Sequence, residues 1–290
     1  MKLIKTFKDS IEIYNIKKSE DPVIFEEIQR AIANAFGLPS AEDAFDNLYS
    51  YVVSIDRENN EIVSGYRYIP CKKAHVGNNF NLNTFKYFRF SDKFSNDFAD
   101  QTLELGRSFV NPNAKKKLWG LFSIWESGLG PLINYQAESN GIDYVLGQVS
   151  LREKIYNEEC IKAILKMFWI NFGTEDFLYP RELAFSQQDL ESFHSDLDLK
   201  FSGNFEEDKI KLTEFLKLKD MPKPTLFLGY ADLVEGNKDG LFCSLPTYNS
   251  LLKCYEMGFL LRIDKISPKN VQKFLQASYN SLAFAEDVTV

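Results

Sequence analysis

Residues 10–18, SIEIYNIKK, alternate apolar and polar positions, the two-residue period of a half-buried strand. The period then changes. In residues 21–38, Ile24, Ile28, Ile32 and Phe36 fall on one face of a helix, with Asp21 placed to cap it, Pro22 at its first position and Gly37 at its end. A short helix is predicted over residues 41–48. Residues 51–56 and 62–68, separated by the polar RENNE turn, read as a β-hairpin. Residues 72–100 show no period, and so long an excursion predicts a lid or binding loop. A strand follows at 102–110, then an amphipathic helix at 114–138 with apolar residues at 118, 121, 122, 125, 129, 132 and 133. A strand at 143–150 and a helix at 153–172 come next, giving the order β-α-α-β-β-β-α-β-α of a mixed α/β protein. Beyond Phe172 the pattern weakens. It predicts a helix near 206–217, strands at 224–233 and 259–264, and a loop entering a helix at 245–259. A terminal helix is predicted at 267–284, with Ser267 as its cap and Pro268 in its first turn.

The strand at 102–110, TLELGRSFV, carries charge where burial is expected. Glu104 and Arg107 are three apart and point to opposite faces of a regular strand. A bulge at Leu105–Gly106, which the glycine favours, would bring them to one side, where they could pair. Such a pair is either purely architectural or part of a site, and the residues leave both readings open. Past Asn111 and Pro112 the chain enters a helix, whose first N–H groups point outward at a place suited to phosphate. Lys115, Lys116 and Lys117 stand there.

From about Tyr51 to Phe168 the chain resembles the hemolysin-like GNAT N-acyltransferases, which include acyl carrier protein (ACP)-dependent ornithine and glycine N-acyltransferases. The resemblance rests on VVSIDRENNEIVSGYRY (52–68), FRFSDKF (88–94), LELGRSFVNP (103–112), LWGLFSIWESGLGPLI (118–133), DYVLGQVS (143–150) and ILKMF (164–168), in that order. It implies a GNAT-like α/β (α+β) fold with a mixed, mostly antiparallel central sheet flanked by helices. The acyltransferase core would occupy residues 1–172, and residues 173–290 would complete the sheet or the acceptor pocket. Typical acetyl-CoA-binding GNAT enzymes carry R/Q-x-x-G-x-G/A at the start of the helix. This chain has NPNAKKKLWG, with only Lys117 and Gly120 in similar places. A degenerate pyrophosphate cradle suits a donor with a single phosphate, the phosphopantetheine arm of acyl-ACP, and implies no permanently bound cofactor. Lys115, Lys116 and Lys117 would then meet the acidic carrier. The chain is more distantly similar to acyl-homoserine-lactone synthases, which implies that Asp56, Arg67, Glu104 and Arg107 lie near the donor and acceptor sites. The implied reaction moves a (3-hydroxy)acyl chain from ACP to the amine of an amino acid such as glycine or ornithine, in aminolipid biosynthesis. The alternatives are a lactone synthase-like enzyme and a non-catalytic module that binds acyl chains or ACP.

Acyl transfer to an amine needs a group that takes the amine's proton and donors for the oxyanion. Glu104 is the candidate base, with Arg107 beside it as the second catalytic candidate. Arg67 and Arg107 are candidates for the acceptor carboxylate, which an arginine can hold with two parallel hydrogen bonds. The backbone at Phe109 and Val110 is the candidate oxyanion donor, and Ser108 and Ser150 are candidates for the pantetheine or the leaving thiol. Asp56 precedes a turn, where aspartate commonly bonds the local backbone. An acyl chain needs an apolar groove, entered between the ELGRSFV and VLGQVS strands; Phe109, Leu118, Trp119, Phe122, Trp125 and Val149 are its candidates, against their plainer role as core.

Composition narrows the remaining classes. A net charge of −7 on 290 residues excludes a general nucleic-acid surface. The 4 cysteines form no CxxC motif and read as free thiols of a reducing cytoplasm. The 2 histidines, His75 and His194, sit in no motif, which argues against a histidine triad and a metal site. No apolar run is long enough to span a bilayer and the start lacks a signal-peptide core. A cytoplasmic protein is expected, touching a membrane only peripherally, where an acyl product is handed over.

Overall fold

The computed structural model describes residues 1–8, 10–76 and 79–285, so Gly77 and Asn78 of the 72–100 excursion lie outside the described residues. The described residues form two compact units, one within residues 1–75, 103–142 and 268–285, the other within 76–102 and 143–267.

In the first unit five strands lie in chain order, each antiparallel to its neighbour: β1 (Lys2–Phe7), β2 (Ile11–Ile16), β3 (Ser50–Asp56), β4 (Glu61–Pro70) and β5 (Thr102–Val110). Strand β1 is absent from the sequence reading because of its six residues only Ile4 is buried. Helix α1 (Pro22–Phe36) starts and stops as its sequence directs. The Asp21 side chain accepts from the Ile24 N–H, and Gly37 closes the helix at a φ of 69°. Residues 41–48 form turns rather than the predicted helix. Helices α2 (Lys117–Ile124) and α3 (Gly130–Asn140), joined by a π turn at Trp125–Leu129, make the helical run expected at 114–138. Helix α2 rests on β4 and β5 at Gly120, where an added Cβ would stand 3.1 Å from both Ser64 and Val110. The predicted terminal helix is broken into a turn at Pro268–Asn270, a π turn at Val271–Leu275 and a 3-10 turn at Ser281–Ala283. No residue of Val271–Leu275 is buried, so no apolar stripe holds a continuous helix there.

The second unit contains β6 (Tyr144–Arg152), α4 (Glu158–Phe172), α5 (Gln187–Ser192), α6 (Phe205–Leu218), α7 (Thr225–Leu233), β7 (Leu241–Cys243), β8 (Thr247–Asn249) and β9 (Cys254–Arg262). Strand β9 pairs antiparallel with β6, β7 and β8, and a small ladder joins Phe88–Phe90 to Leu178–Pro180. Residues 225–233 are helix α7, not a strand: Phe227, Leu228 and Ala231 are buried at helical spacing, and a short apolar run does not by itself choose between the two. Residues 247–262 form the β8–β9 hairpin in place of the loop and helix expected at 245–259, and the strand expected at 259–264 is the end of β9, up to Arg262. Asn249 sets its turn by accepting the Leu252 N–H at 3.1 Å, which puts Tyr248 opposite Tyr255. Aromatic packing fills the core. Phe168 stacks on Phe259 with centroids 5.7 Å apart, and Phe227 meets them edge-on at 5.1 and 5.2 Å. Among the described residues no helix is long and apolar enough to cross a membrane.

Gly65 tests the tight contact of β3, β4 and β5. A Cβ there would lie 2.8 Å from the Val52 carbonyl oxygen and 2.9 Å from Phe109 Cε1. Gly65→Ala is expected to destabilise the protein by about 1–3 kcal/mol, read as a lower urea midpoint. An unchanged midpoint would contradict this packing.

Candidate active site

Strand β5 is bulged. Gly106 lies opposite Arg67 and Phe109 opposite Gly65, so Arg107 and Ser108 together oppose Tyr66. The bulge stands just beyond its expected place at Leu105–Gly106. It puts Arg107 at a φ of 51°, in the left-handed region, which for a residue other than glycine costs on the order of 1–3 kcal/mol.

The Arg107 side chain holds this conformation. Its Nη1 donates to the Ala41 carbonyl, its Nη2 lies 3.1 Å from Asp43 Oδ2, and its Nη1 lies 3.8 Å from Asp46 Oδ1. Arg67, on β4, shares both carboxylates. Its Nη1 donates to Asp43 Oδ1 at 2.9 Å and Asp46 Oδ1 at 3.4 Å, and its guanidinium lies over the Tyr49 ring at 4.7 Å. Neither Arg67 nor Asp46 has exposed side-chain surface. Glu104, equally buried, accepts the hydroxyl of Tyr49, and Tyr51 donates to Asp46 at 2.6 Å. The structure thus places Arg67, Glu104 and Arg107 in one network with Asp43, Asp46, Tyr49 and Tyr51.

The turns at residues 41–48 make this network possible. The Asp43 carboxylate accepts the Phe45 N–H at 2.9 Å, and the Asp46 carboxylate accepts the Asp43 N–H at 2.8 Å. Sequence reasoning missed both aspartates because it read the segment as a helix. Their signal was the need of a buried and a half-buried arginine for carboxylates, with SAEDAFDNLYSY the acidic and aromatic run upstream. Burial alone would raise the Asp43 pKa, but the hydrogen bond and charge of Arg67 and the charge of Arg107 hold it below its ordinary value. Burial pushes the Tyr51 hydroxyl up to about 12.

Asp56 stands apart from this network. It pairs with Glu61 at the turn end of the hairpin, whereas Arg67 pairs with Tyr51. Five residues of strand separate the two levels, about 17 Å. Its carboxylate accepts from Asn59 at 2.6 Å and from Lys116 and the Glu58 N–H at 3.2 Å, so it organises the turn. Burial would raise its pKa, and these bonds lower it instead. Lys116 also reaches Glu58 at 2.5 Å and Ser10 at 2.7 Å. Lys115 donates to Asn59 at 2.6 Å and Lys117 to the Pro112 carbonyl at 3.0 Å, both at the surface. Ser108 is exposed at the bulge, Phe109 is buried and Val110 half-buried. Of the acyl-groove candidates Phe109 and Val149 are core, whereas Leu118 (81%), Trp119 (40%) and Phe122 (55%) are exposed. Ser150 belongs to the second unit, exposed on β6. Among the described residues no group of three or more His, Cys, Asp and Glu side chains is placed to hold a metal ion.

Residues 29–125 match the model of an acetyltransferase (GNAT) domain. The chain is 28% identical to a protein named glycine N(alpha)-acyltransferase of Bacteroides thetaiotaomicron, over 97% of this chain and 87% of that protein. It is 30% identical to a protein of the same name from Phocaeicola vulgatus, over 73% of this chain and 69% of that protein. Among solved structures, a CoA-dependent acyl-homoserine lactone synthase, BjaI, is similar with a TM-score of 0.38 and 10% identity, over 90% of this chain and 85% of that one.

Two outcomes are expected of the charge network. Asp46→Ala removes one partner of a fully buried pair and should cost about 3–5 kcal/mol in urea unfolding. The lowered pKa of Asp43 contributes stability above its ordinary value of 3.8 that is lost as pH falls through and below it. Acidification should therefore lower the unfolding midpoint of Asp43→Asn less than that of the wild type. Equal losses would show that Asp43 does not carry this dependence.

Proposed function

We propose that this chain, which belongs to the GNAT acyltransferase family of the glycine N(alpha)-acyltransferases, moves a (3-hydroxy)acyl chain from ACP to the amine of an amino acid, glycine foremost. The observation that carries this reading is the similarity to a protein of that name over 97% of the chain. In this reaction the amine attacks the thioester carbonyl carbon, the C–N bond forms, and the C–S bond breaks to release the carrier's thiol. The bulge supports an assignment for the oxyanion. An extra residue in one strand leaves backbone groups outside the ladder, and N–H groups held in place lower the barrier as charge develops on the thioester oxygen. Arg107, tied to Asp43, and Glu104, bonded to Tyr49, hold the strand in that shape. Ser108, exposed at the bulge, would meet the pantetheine arm. Arg67 has no exposed surface and already carries two aspartates, so its role in this reading is to hold the network, not the acceptor carboxylate. Lys115 and Lys117 lie at the surface and would meet the carrier; Lys116 is committed to Asp56 and Glu58. The product would be an aminolipid, delivered to a membrane surface.

Incubating the purified protein with 3-hydroxypalmitoyl-ACP and a mixture of the common amino acids and ornithine should yield one dominant N-acyl amino acid by mass spectrometry. An intact thioester with no acylated amine would contradict the proposal. Arg107→Ala should lower kcat by roughly 100- to 1000-fold, the usual effect of losing an oxyanion donor, while the far-UV spectrum keeps its shape. Wild-type turnover in this variant would remove the bulge from the mechanism.

A further inference from the structure

We propose that Glu256 and Gln148, in the second unit, form the seat of the acceptor amine, and that the Glu256 carboxylate takes the amine's proton. The inference rests on the acyl-transfer reading and adds the group that activates the nucleophile.

Strands β6 and β9 pair over nine positions, from Tyr144 opposite Arg262 to Arg152 opposite Cys254, with no shift of register. Residues directly opposite in an antiparallel pair share a face. One face therefore carries Gln148, Ser150 and Arg152 from β6 with Gly258, Glu256 and Cys254 from β9. Glu256 is directly opposite Ser150, and Gln148 is its diagonal neighbour, at a backbone spacing of about 7–8 Å. Over Gly258, opposite Gln148, the Leu178, Ser244 and Phe88 side chains fill the space a Cβ would take, so that corner of the face is closed.

Glu256 is 1% exposed. Its Oε1 accepts from Asn249 at 2.8 Å and lies 3.5 Å from the Cys254 sulfur. Its Oε2 is buried with no hydrogen-bond partner, and so is Oε1 of Gln148. A buried acceptor without a donor is costly, and a carboxylate oxygen more so than a neutral one. Two such acceptors on one ladder face suit a ligand with several donors, positive charge and no acceptor of its own at that end. A primary ammonium has those properties. Ser150, exposed opposite Glu256 and next to Gln148 on its strand, marks the side from which a small ligand arrives.

The chemistry balances. The Glu256 carboxylate removes one proton from the ammonium, and the neutral amine attacks the thioester carbon. The C–N bond forms, the C–S bond breaks, and the nitrogen's second proton passes to the departing thiolate. Glu256 then returns its proton to solvent. Burial raises the pKa of this carboxyl, against the hydrogen bonds of Asn249 and Cys254, which brings it closer to that of an amine.

The test compares the wild type with Glu256→Gln, which keeps the shape of the side chain, and with Gln148→Leu. Glycine and ornithine binding are read by calorimetry, and turnover with 3-hydroxypalmitoyl-ACP by product mass. Glu256→Gln is expected to lose about 100- to 1000-fold in kcat/KM for the acceptor, with an unchanged melting temperature. Aminoacetonitrile, whose amine is already neutral at neutral pH, should recover most of that loss, which a merely structural role would not allow. Gln148→Leu should raise KM for the acceptor more than it lowers kcat. Wild-type kcat/KM in Glu256→Gln overturns the proposal. If the wild type binds an amino acid but forms no product, and Glu256→Gln abolishes that binding, the amine seat stands and the acyl-transfer reading falls. If the wild type binds neither amino acid and forms no product, the amine seat falls as well.

Discussion

A guanidinium with no exposed surface must be met by carboxylates, and in the first unit much of the local structure follows from that requirement at Arg67. Desolvating a charge inside a protein costs several kcal/mol, which only close and well-placed counter-charges offset. Arg67 obtains them from Asp43 and Asp46. That demand draws residues 41–48 into turns in place of a helix. The same two carboxylates hold Arg107, and through it the left-handed residue of the β5 bulge. Strain at one strand position is thus balanced by an ion network built from a different part of the chain. Glu104 on β5 and Tyr49, just before β3, close the network.

The second unit is built on a different principle. Its core is aromatic, with Phe168, Phe227 and Phe259 in mutual contact, and the β6–β9 ladder runs over it without a bulge. A regular ladder keeps side chains in strict alternation, so polar groups gathered on one face stay there. Glu256, Gln148 and Ser150 are such a set, held on one face by the unshifted register. A deformed strand suits the task of exposing backbone N–H groups. A regular one suits the task of presenting side chains.

The parts of the fold legible in the sequence are those that local physics decides. Helices α1, α4 and α6 carry side-chain caps and long periodic faces, and the β3–β4 hairpin carries alternation on both sides of a polar turn. The parts that were not legible depend on distant partners. Strand β1 has one buried residue and is defined by its pairing with β2. Helix α7 and the β8–β9 hairpin are short apolar runs whose form is set by packing against Phe168 and by a single Asn249 turn. At the site, Arg67, Glu104 and Arg107 were visible as charges in strands. Asp43 and Asp46 were not, because nothing local marks them as partners of a strand far along the chain. Glu256 was hidden for another reason: residues 245–259 read as a loop and helix, and no face of a helix would have set it opposite Ser150.

The reaction proposed for this chain is amine-dependent transfer from a carrier-bound thioester. The most direct measurement follows release of the carrier's thiol from 3-hydroxypalmitoyl-ACP as glycine is varied, with the matching acyl-CoA as comparison. The expected result is release that rises and saturates with glycine and is much faster from the carrier than from CoA. Release that ignores glycine, or that favours CoA, would contradict it.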